Sequence, residues 1–206
     1  MNSRTVRQTV LGPAGAIECA VDAPDSPPLG TAVVCHPHPQ HGGTLDNKVV
    51  QTLARVFVKI GWRSVRFNFR GVAASQGVWD EGVGEIDDAL AVIAGVRDPA
   101  LPLTLAGFSF GGYVAASAAQ RLGAPSQPTR LVLIAPSTQK QHVPAVPADT
   151  VVIHGETDEV VPLAATLAWA RPQALPVIVF PGVGHFFHGQ LSLLKSVLLQ
   201  QLQATR

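Results

Sequence analysis

The sequence has little charge and almost no imbalance of it: Asp, Glu, Lys and Arg make up 14% of 206 residues, 15 of them basic and 14 acidic. Such a chain carries no electrostatic footprint for nucleic acid or an anionic membrane surface, so neither is expected as a partner. It has only two cysteines, Cys19 and Cys35, too few for a disulfide scaffold. Both stand in apolar, strand-like runs, which predicts free buried thiols. No stretch reaches the ~18 uninterrupted apolar residues of a membrane span, and Arg4 and Arg7 are not followed by an apolar run of the signal type. A cytoplasmic protein is the expectation. Repeats, low-complexity tracts and charge blocks are missing as well, and 206 residues is the size of one domain, so residues 1–206 are read as a single unit. Disorder is excluded by the 47% apolar content.

What the sequence does have is a series of short apolar runs: Thr31 to Cys35, Ser64 to Phe67, Leu103 to Ala106, Leu131 to Ala135, Val151 to Ile153 and Val177 to Phe180. Runs of this length, rich in Val and Ile, suit strands covered on both faces, as in a parallel sheet. Between them the spacing becomes helical. Val49, Leu53, Val56 and Ile60 recur on one face, as do Ile86, Ala89, Leu90 and Ile93. Asn47 can cap the first of these helices, and Asp80, Glu81 and Glu85 fall near the start of the second, where carboxylates complement the macrodipole. A last amphipathic helix is read from Phe187 through Leu191, Leu194 and Leu198, with His188 at its start. Thr5 to Leu11 and Ala16 to Val21, around Gly12-Pro13-Ala14-Gly15, read as an antiparallel hairpin at the sheet edge. The alternation predicts an α/β fold with a mostly parallel, doubly wound sheet.

Chemistry concentrates at three strand ends. Gly107-Phe108-Ser109-Phe110-Gly111-Gly112 follows one strand directly and opens a helix rich in small residues. In a sharp strand-to-helix turn the central residue is pushed outward, and glycines two positions before and after leave room for the crossing backbones. Ser109 is therefore the candidate nucleophile; its plainer reading is a serine in a glycine-rich turn. A serine hydroxyl needs a base, and the base needs an acid to orient it. After Val151 to Ile153 comes His154-Gly155-Glu156-Thr157-Asp158-Glu159, from which Asp158 is chosen as the acid, with Glu156 and Glu159 as competitors. After Val177 to Phe180, glycines precede His185, chosen as the base over His188. The order Ser109, Asp158, His185 is nucleophile, acid, base, and each follows a strand whose carboxyl end faces the usual ligand crevice of an open α/β sheet.

A fourth loop, His36-Pro37-His38-Pro39-Gln40-His41-Gly42-Gly43, follows the strand Thr31 to Cys35. Pro37 and Pro39 lack an N–H, so His38 is the natural backbone donor for an oxyanion beside the N–H of Phe110, with Gln40 as the fallback. His36, His38 and His41 also form H-x-H-x-x-H, which resembles the zinc loop of metallo-β-lactamase-type hydrolases. That loop usually has Asp where Gln40 stands, and a neutral amide is a poor ligand, so no metal or other cofactor is assigned.

Taken together, HPHPQHGGTLDNKVV (His36 to Val50), FNFRGVAASQGVWDEGVGEIDDAL (Phe67 to Leu90), GFSFGG, HGETDEVVP and GVGHFFHG resemble the small, capless serine hydrolases of the α/β-hydrolase superfamily, close to dienelactone hydrolase in architecture. The resemblance spans nearly everything after Val33. It implies an eight-stranded sheet without a cap domain, a Ser109–Asp158–His185 triad, and esterase or lipase-like activity on small acyl esters. Dienelactone hydrolase itself has cysteine at the elbow, so its substrate is not carried over to Ser109, and Ala73 stands where relatives often have Gly. Only Pro136 to Asp149 separates Ala135 from the next strand, which leaves no room for a lid. Ser137, Gln139, His142, Trp79 and Phe108 are candidates to line an acyl pocket. The rival readings are a non-catalytic binding protein on the same fold and a zinc hydrolase using the histidine loop.

Overall fold

The computed structural model describes residues 5–203. Eight strands form one sheet: β1 (Val6–Gly12), β2 (Gly15–Asp22), β3 (Thr31–Cys35), β4 (Arg63–Phe67), β5 (Leu103–Phe108), β6 (Arg130–Ile134), β7 (Val151–Gly155) and β8 (Val177–Phe180). Their spatial order is β1-β2-β4-β3-β5-β6-β7-β8. β1 with β2 and β2 with β4 are antiparallel, and every later pairing is parallel. Every residue of β3, β5 and β7 is buried, which is why these strands read as mostly apolar runs rather than as alternations, with Thr31, Thr104 and His154 as their buried polar residues. Fully burying each Val or Leu in them contributes about 1.5–3 kcal/mol before chain entropy is counted.

Among the described residues five α-helices cover the two faces: α1 (Lys48–Lys59), α2 (Val83–Val96), α3 (Phe110–Leu122), α4 (Leu163–Ala170) and α5 (Leu191–Gln203). α1 and α5 share one core with Val34, Ala106 and Ile153, while α2 and α3 share the other with Val33, Leu105 and Val152. Asn47 caps α1, its Oδ1 accepting from the N–H groups of Val49 and Val50 at 2.9 and 3.4 Å. Glu85 lies in the first turn of α2 and reaches back to accept from the N–H groups of Asp80 and Gly82 at 3.0 and 2.7 Å.

Two readings of the sequence are corrected. The last helix begins at Leu191, not Phe187; Phe187 sits in a turn at φ 52° with its ring fully buried, so the apolar pattern extends past the helix boundary. His188 belongs to that turn. β4 is not apolar throughout, because Arg66 is buried in it, paired with Asp22 at 2.9 Å and donating to the Leu45 carbonyl. Residues 135–150, between β6 and β7, contain no helix or strand, so nothing is inserted as a cap.

The strand order places the site. From β3 the chain crosses one face of the sheet to β4, then returns across the other face to β5, so the loops after β3 and β5 part in opposite directions. A crevice opens at such a reversal, outside the carboxyl ends of the strands.

Candidate active site

Ser109 stands between the end of β5 and the first residue of α3, at φ 57° and ψ −119°. A non-glycine residue held there costs about 1–3 kcal/mol, supplied by the packing around it. The Ser109 N–H donates to the Ile134 carbonyl at 2.9 Å, and its carbonyl accepts from Gly112 at 2.9 Å and Ser137 at 3.2 Å. The flanking glycines are sterically required. A Cβ on Gly107 would lie 2.0 Å from the Gly111 carbonyl oxygen, and one on Gly111 would lie 2.3 Å from that of Cys35. The second contact draws the start of α3 against the end of β3.

That approach sets the start of α3, with Phe110, against the loop after β3, which carries His38. Phe110 is the first residue of α3 and has no intrahelical acceptor for its N–H. In the loop after β3, the His38 carbonyl accepts from His41 and Gly43 at 3.1 and 3.0 Å, and among the described residues no backbone hydrogen bond uses the His38 N–H. The rings of His38 and Phe110 lie 5.2 Å apart. His36 anchors this loop: its Nδ1–H donates to the Pro37 carbonyl at 2.6 Å and its Nε2 accepts from the Phe69 N–H at 3.1 Å. Burial, opposed by the bond to Pro37, pushes the His36 imidazole down to about 3. With both ring nitrogens engaged, His36 does not offer a lone pair to a metal alongside His38 and His41, which stack on each other at 4.4 Å. Among the described residues no group of three His, Cys, Asp or Glu could hold an ion.

Asp158 and His185 meet across the ends of β7 and β8. His185 Nδ1 lies 2.7 Å from Asp158 Oδ2, and both side chains are buried. Burial pushes the Asp158 carboxyl up, but hydrogen bonds from His154, His185 and the Val161 N–H outweigh it and hold the group well below the usual carboxylate range. The carboxylate only accepts, so His185 Nδ1 carries the hydrogen, and the neutral imidazole with that hydrogen has its lone pair on Nε2. The imidazole packs on Phe108, the neighbour of Ser109, with ring centroids 4.9 Å apart. Among the described residues no hydrogen bond yet joins the Ser109 hydroxyl to His185; nucleophile–base contacts of this kind commonly tighten only when substrate is bound.

Of the competing residues, Glu159 and His188 line the same cavity as His185, but among the described residues no hydrogen bond joins either of them to it. Glu156 is exposed and accepts from the Gly182 N–H at 2.8 Å, Glu159 is exposed, and His188 packs behind Phe186 at 5.7 Å. Gln40 lies in a single turn of 3₁₀ helix, Pro39–His41. Of the suggested pocket residues, Trp79 packs on His38 at 4.7 Å and Phe110 at 5.2 Å, beside the candidate oxyanion donors. Phe108 is core, and His142 lines a separate cavity with Tyr113 and Arg121. Phe186, 44% exposed beside His185, was not anticipated; nor was His154, which touches Asp158 from β7. A histidine inside the apolar run of β7, four residues before the acid, was the signal for it. Ala73 adopts φ 48°, in the left-handed region that glycine fills freely.

An eight-stranded, mostly parallel sheet without a cap, carrying a strained serine at a strand-to-helix elbow, defines an α/β hydrolase. Comparisons with known proteins agree. Residues 27–150 match the family described as serine aminopeptidase, S33. An α/β serine hydrolase homologue from Coxiella burnetii is 37% identical, with 96% of this chain and 97% of that one covered and a TM-score of 0.86. A lidless α/β serine hydrolase from Xanthomonas campestris is 36% identical over 99% and 96% of the two chains, with a TM-score of 0.89. An uncharacterised protein of Rickettsia prowazekii is 41% identical over 107 residues, 50% of this chain and 45% of that protein, so the match spans less than half of that relative. The chain belongs to the S33 serine hydrolase family of the α/β-hydrolase superfamily. Among the described residues no helix is long and apolar enough to cross a membrane.

Proposed function

We propose that this chain is a serine carboxylic-ester hydrolase acting on small or short-chain acyl esters as a single catalytic domain. The observation that carries the reading is the 2.7 Å contact of His185 Nδ1 with Asp158 at the rim of the sheet where the strained Ser109 stands. In the first step the Ser109 hydroxyl oxygen bonds to the ester carbonyl carbon while its proton passes to His185 Nε2. The carbonyl oxygen becomes an oxyanion, held by the N–H groups of Phe110 and His38, each worth about 3–4 kcal/mol to the transition state. Asp158 stabilises the imidazolium. The tetrahedral species collapses as the alcohol departs with the proton from His185, leaving an acyl group on Ser109. Water, deprotonated by the same imidazole, attacks that acyl carbon; the acid is released and the serine proton restored.

With no insert between β6 and β7, activity on dissolved monomeric esters should need no oil surface. The test is a panel of p-nitrophenyl esters of rising acyl length, run on the wild type and Ser109→Ala. Short chains should be cleaved fastest. Loss of a triad nucleophile costs about 10⁶ in kcat where it has been measured, so Ser109→Ala should lose more than about a thousandfold. A fluorophosphonate should label Ser109 once and leave the variant unlabelled. Esterase activity surviving in Ser109→Ala overturns the mechanism.

A further inference from the structure

His154 is fully buried within β7, where its backbone pairs with Val179 of β8. Its Nε2 lies 2.8 Å from the Val161 carbonyl oxygen. A carbonyl only accepts, so Nε2 carries the hydrogen and the tautomer is fixed. The same nitrogen lies 3.3 Å from Asp158 Oδ2, the oxygen to which His185 donates. Asp158 Oδ1 accepts from the N–H groups of Val160 and Val161 at 2.9 and 2.8 Å. The carboxylate thus has four N–H groups around it, and the Nε2–H of His154, bonded to the Val161 carbonyl at the far end of the turn, has Oδ2 as a longer second contact. Nδ1 of His154 is buried without a partner. Leu or Met would fill this space without stranding a polar atom in the core, so packing alone does not explain the residue.

We propose that His154 is a positioning residue for the acid–base pair, its shared Nε2–H setting how strongly Asp158 Oδ2 holds the proton on His185 Nδ1. The inference rests on the reading of Ser109, Asp158 and His185 given above. A donor to the carboxylate draws off part of its accepting strength. Without it, Oδ2 pulls harder on the His185 proton, favours the imidazolium, and withdraws the base at a higher pH. Few other titratable groups face these three. His185 otherwise packs on Phe108 and Phe186, with His188 one ring further out and Glu159 lining the same cavity, and the neighbouring Glu156 points to Gly182.

The test compares kcat/KM against pH for the wild type, His154→Leu, His154→Met and His154→Gln on one short ester. In the Leu and Met variants the acid limb should move up by about half a pH unit and the plateau fall about tenfold, mostly in kcat, the effect of one hydrogen bond to a charged group. Gln, whose amide N–H reaches about as far as Nε2, should restore both. A merely structural role would lower the plateau and the melting temperature together but leave the limb where it was. If neither Leu nor Met folds, ¹H–¹⁵N spectra of the wild type and Asp158→Asn decide: a His154 Nε2–H resonance that moves when the carboxylate is removed supports the sharing, and one that stays in place, or an Nδ1–H tautomer, overturns it. Activity surviving in Ser109→Ala overturns the reading of the site. Activity lost there, with the His154 limb unmoved or shifted downward, overturns only the role of His154.

Discussion

Replacing Gly111 with alanine tests the packing that brings the two candidate oxyanion donors together. The new Cβ would lie 2.3 Å from the Cys35 carbonyl oxygen and 2.5 Å from that of His36, about 1 Å inside ordinary contact. β3 cannot retreat, because it is paired with β4 on one side and β5 on the other. The first turn of α3 must move instead, carrying the Phe110 N–H away from the loop after β3. Overpacking of this kind costs about 1–3 kcal/mol, which for a chain of this size lowers Tm by about 2–12 °C. Loss of one oxyanion donor costs about 10²–10³ in kcat. Gly112→Ala is the control: its Cβ meets Pro136 at 3.1 Å, a contact that a shift of a few tenths of an ångström relieves. Circular-dichroism melts and p-nitrophenyl acetate kinetics, run well below both melting temperatures, separate the two effects. Gly111→Ala should fold, bind the ester with little change in KM and lose at least about 100-fold in kcat, while Gly112→Ala stays within about threefold of wild type. If Gly111→Ala hydrolysed the ester like the wild type, or the two variants behaved alike, the link from glycine packing to donor placement would be refuted.

Two further outcomes follow from burial. His36 is held down to about 3 when folded, whereas an unfolded histidine titrates near 6.5, so the unfolded chain takes up a proton that the folded one refuses. Its contribution to stability is complete above about pH 6.5 and is lost as pH falls toward about 3. Melts from pH 7.5 to pH 4 should therefore fall more steeply for the wild type than for His36→Gln, and parallel curves would contradict this. Cys19 is pushed up to about 12 by burial and by the Glu18 carboxylate, and burial pushes Cys35 higher still. Neither thiol should react with Ellman's reagent at pH 8 in the native protein, and both should react in guanidinium; a fast native reaction would place a thiol nearer the surface than the fold has it.

The parts of the fold that were legible in the sequence are those decided locally. Val33 and Val34 sit in a run covered on both faces, Asn47 caps its own helix, and Glu85 reaches back three residues. That Asp158 and His185 meet was legible for a different reason, since each follows a recognisable strand and a serine nucleophile, if that is what Ser109 is, asks for both. What was not legible depends on distant partners or on a missing pattern. α4 reads LAATLAWA and has no polar face to mark a period; only Thr166 and Ala170 are buried. Arg66 looks misplaced in a strand until Asp22, 44 residues away, is seen beside it. His154 passes for a strand residue until the turn at 158–161 folds its carbonyl and carboxylate back onto the ring.

The aromatic residues around the candidate site differ in kind from its floor. Trp79, His41 and Phe186 are side chains on loops, whereas the donors beneath them are main-chain groups locked by Gly107 and Gly111. If the site is the ester hydrolase proposed above, variation at the first set should reshape which acyl and alcohol groups fit and spare the bond-breaking groups, whereas variation at the second should disable them whatever the ester. A library aimed at new substrates would then have its productive positions at the rim and its dead ones at the two glycines.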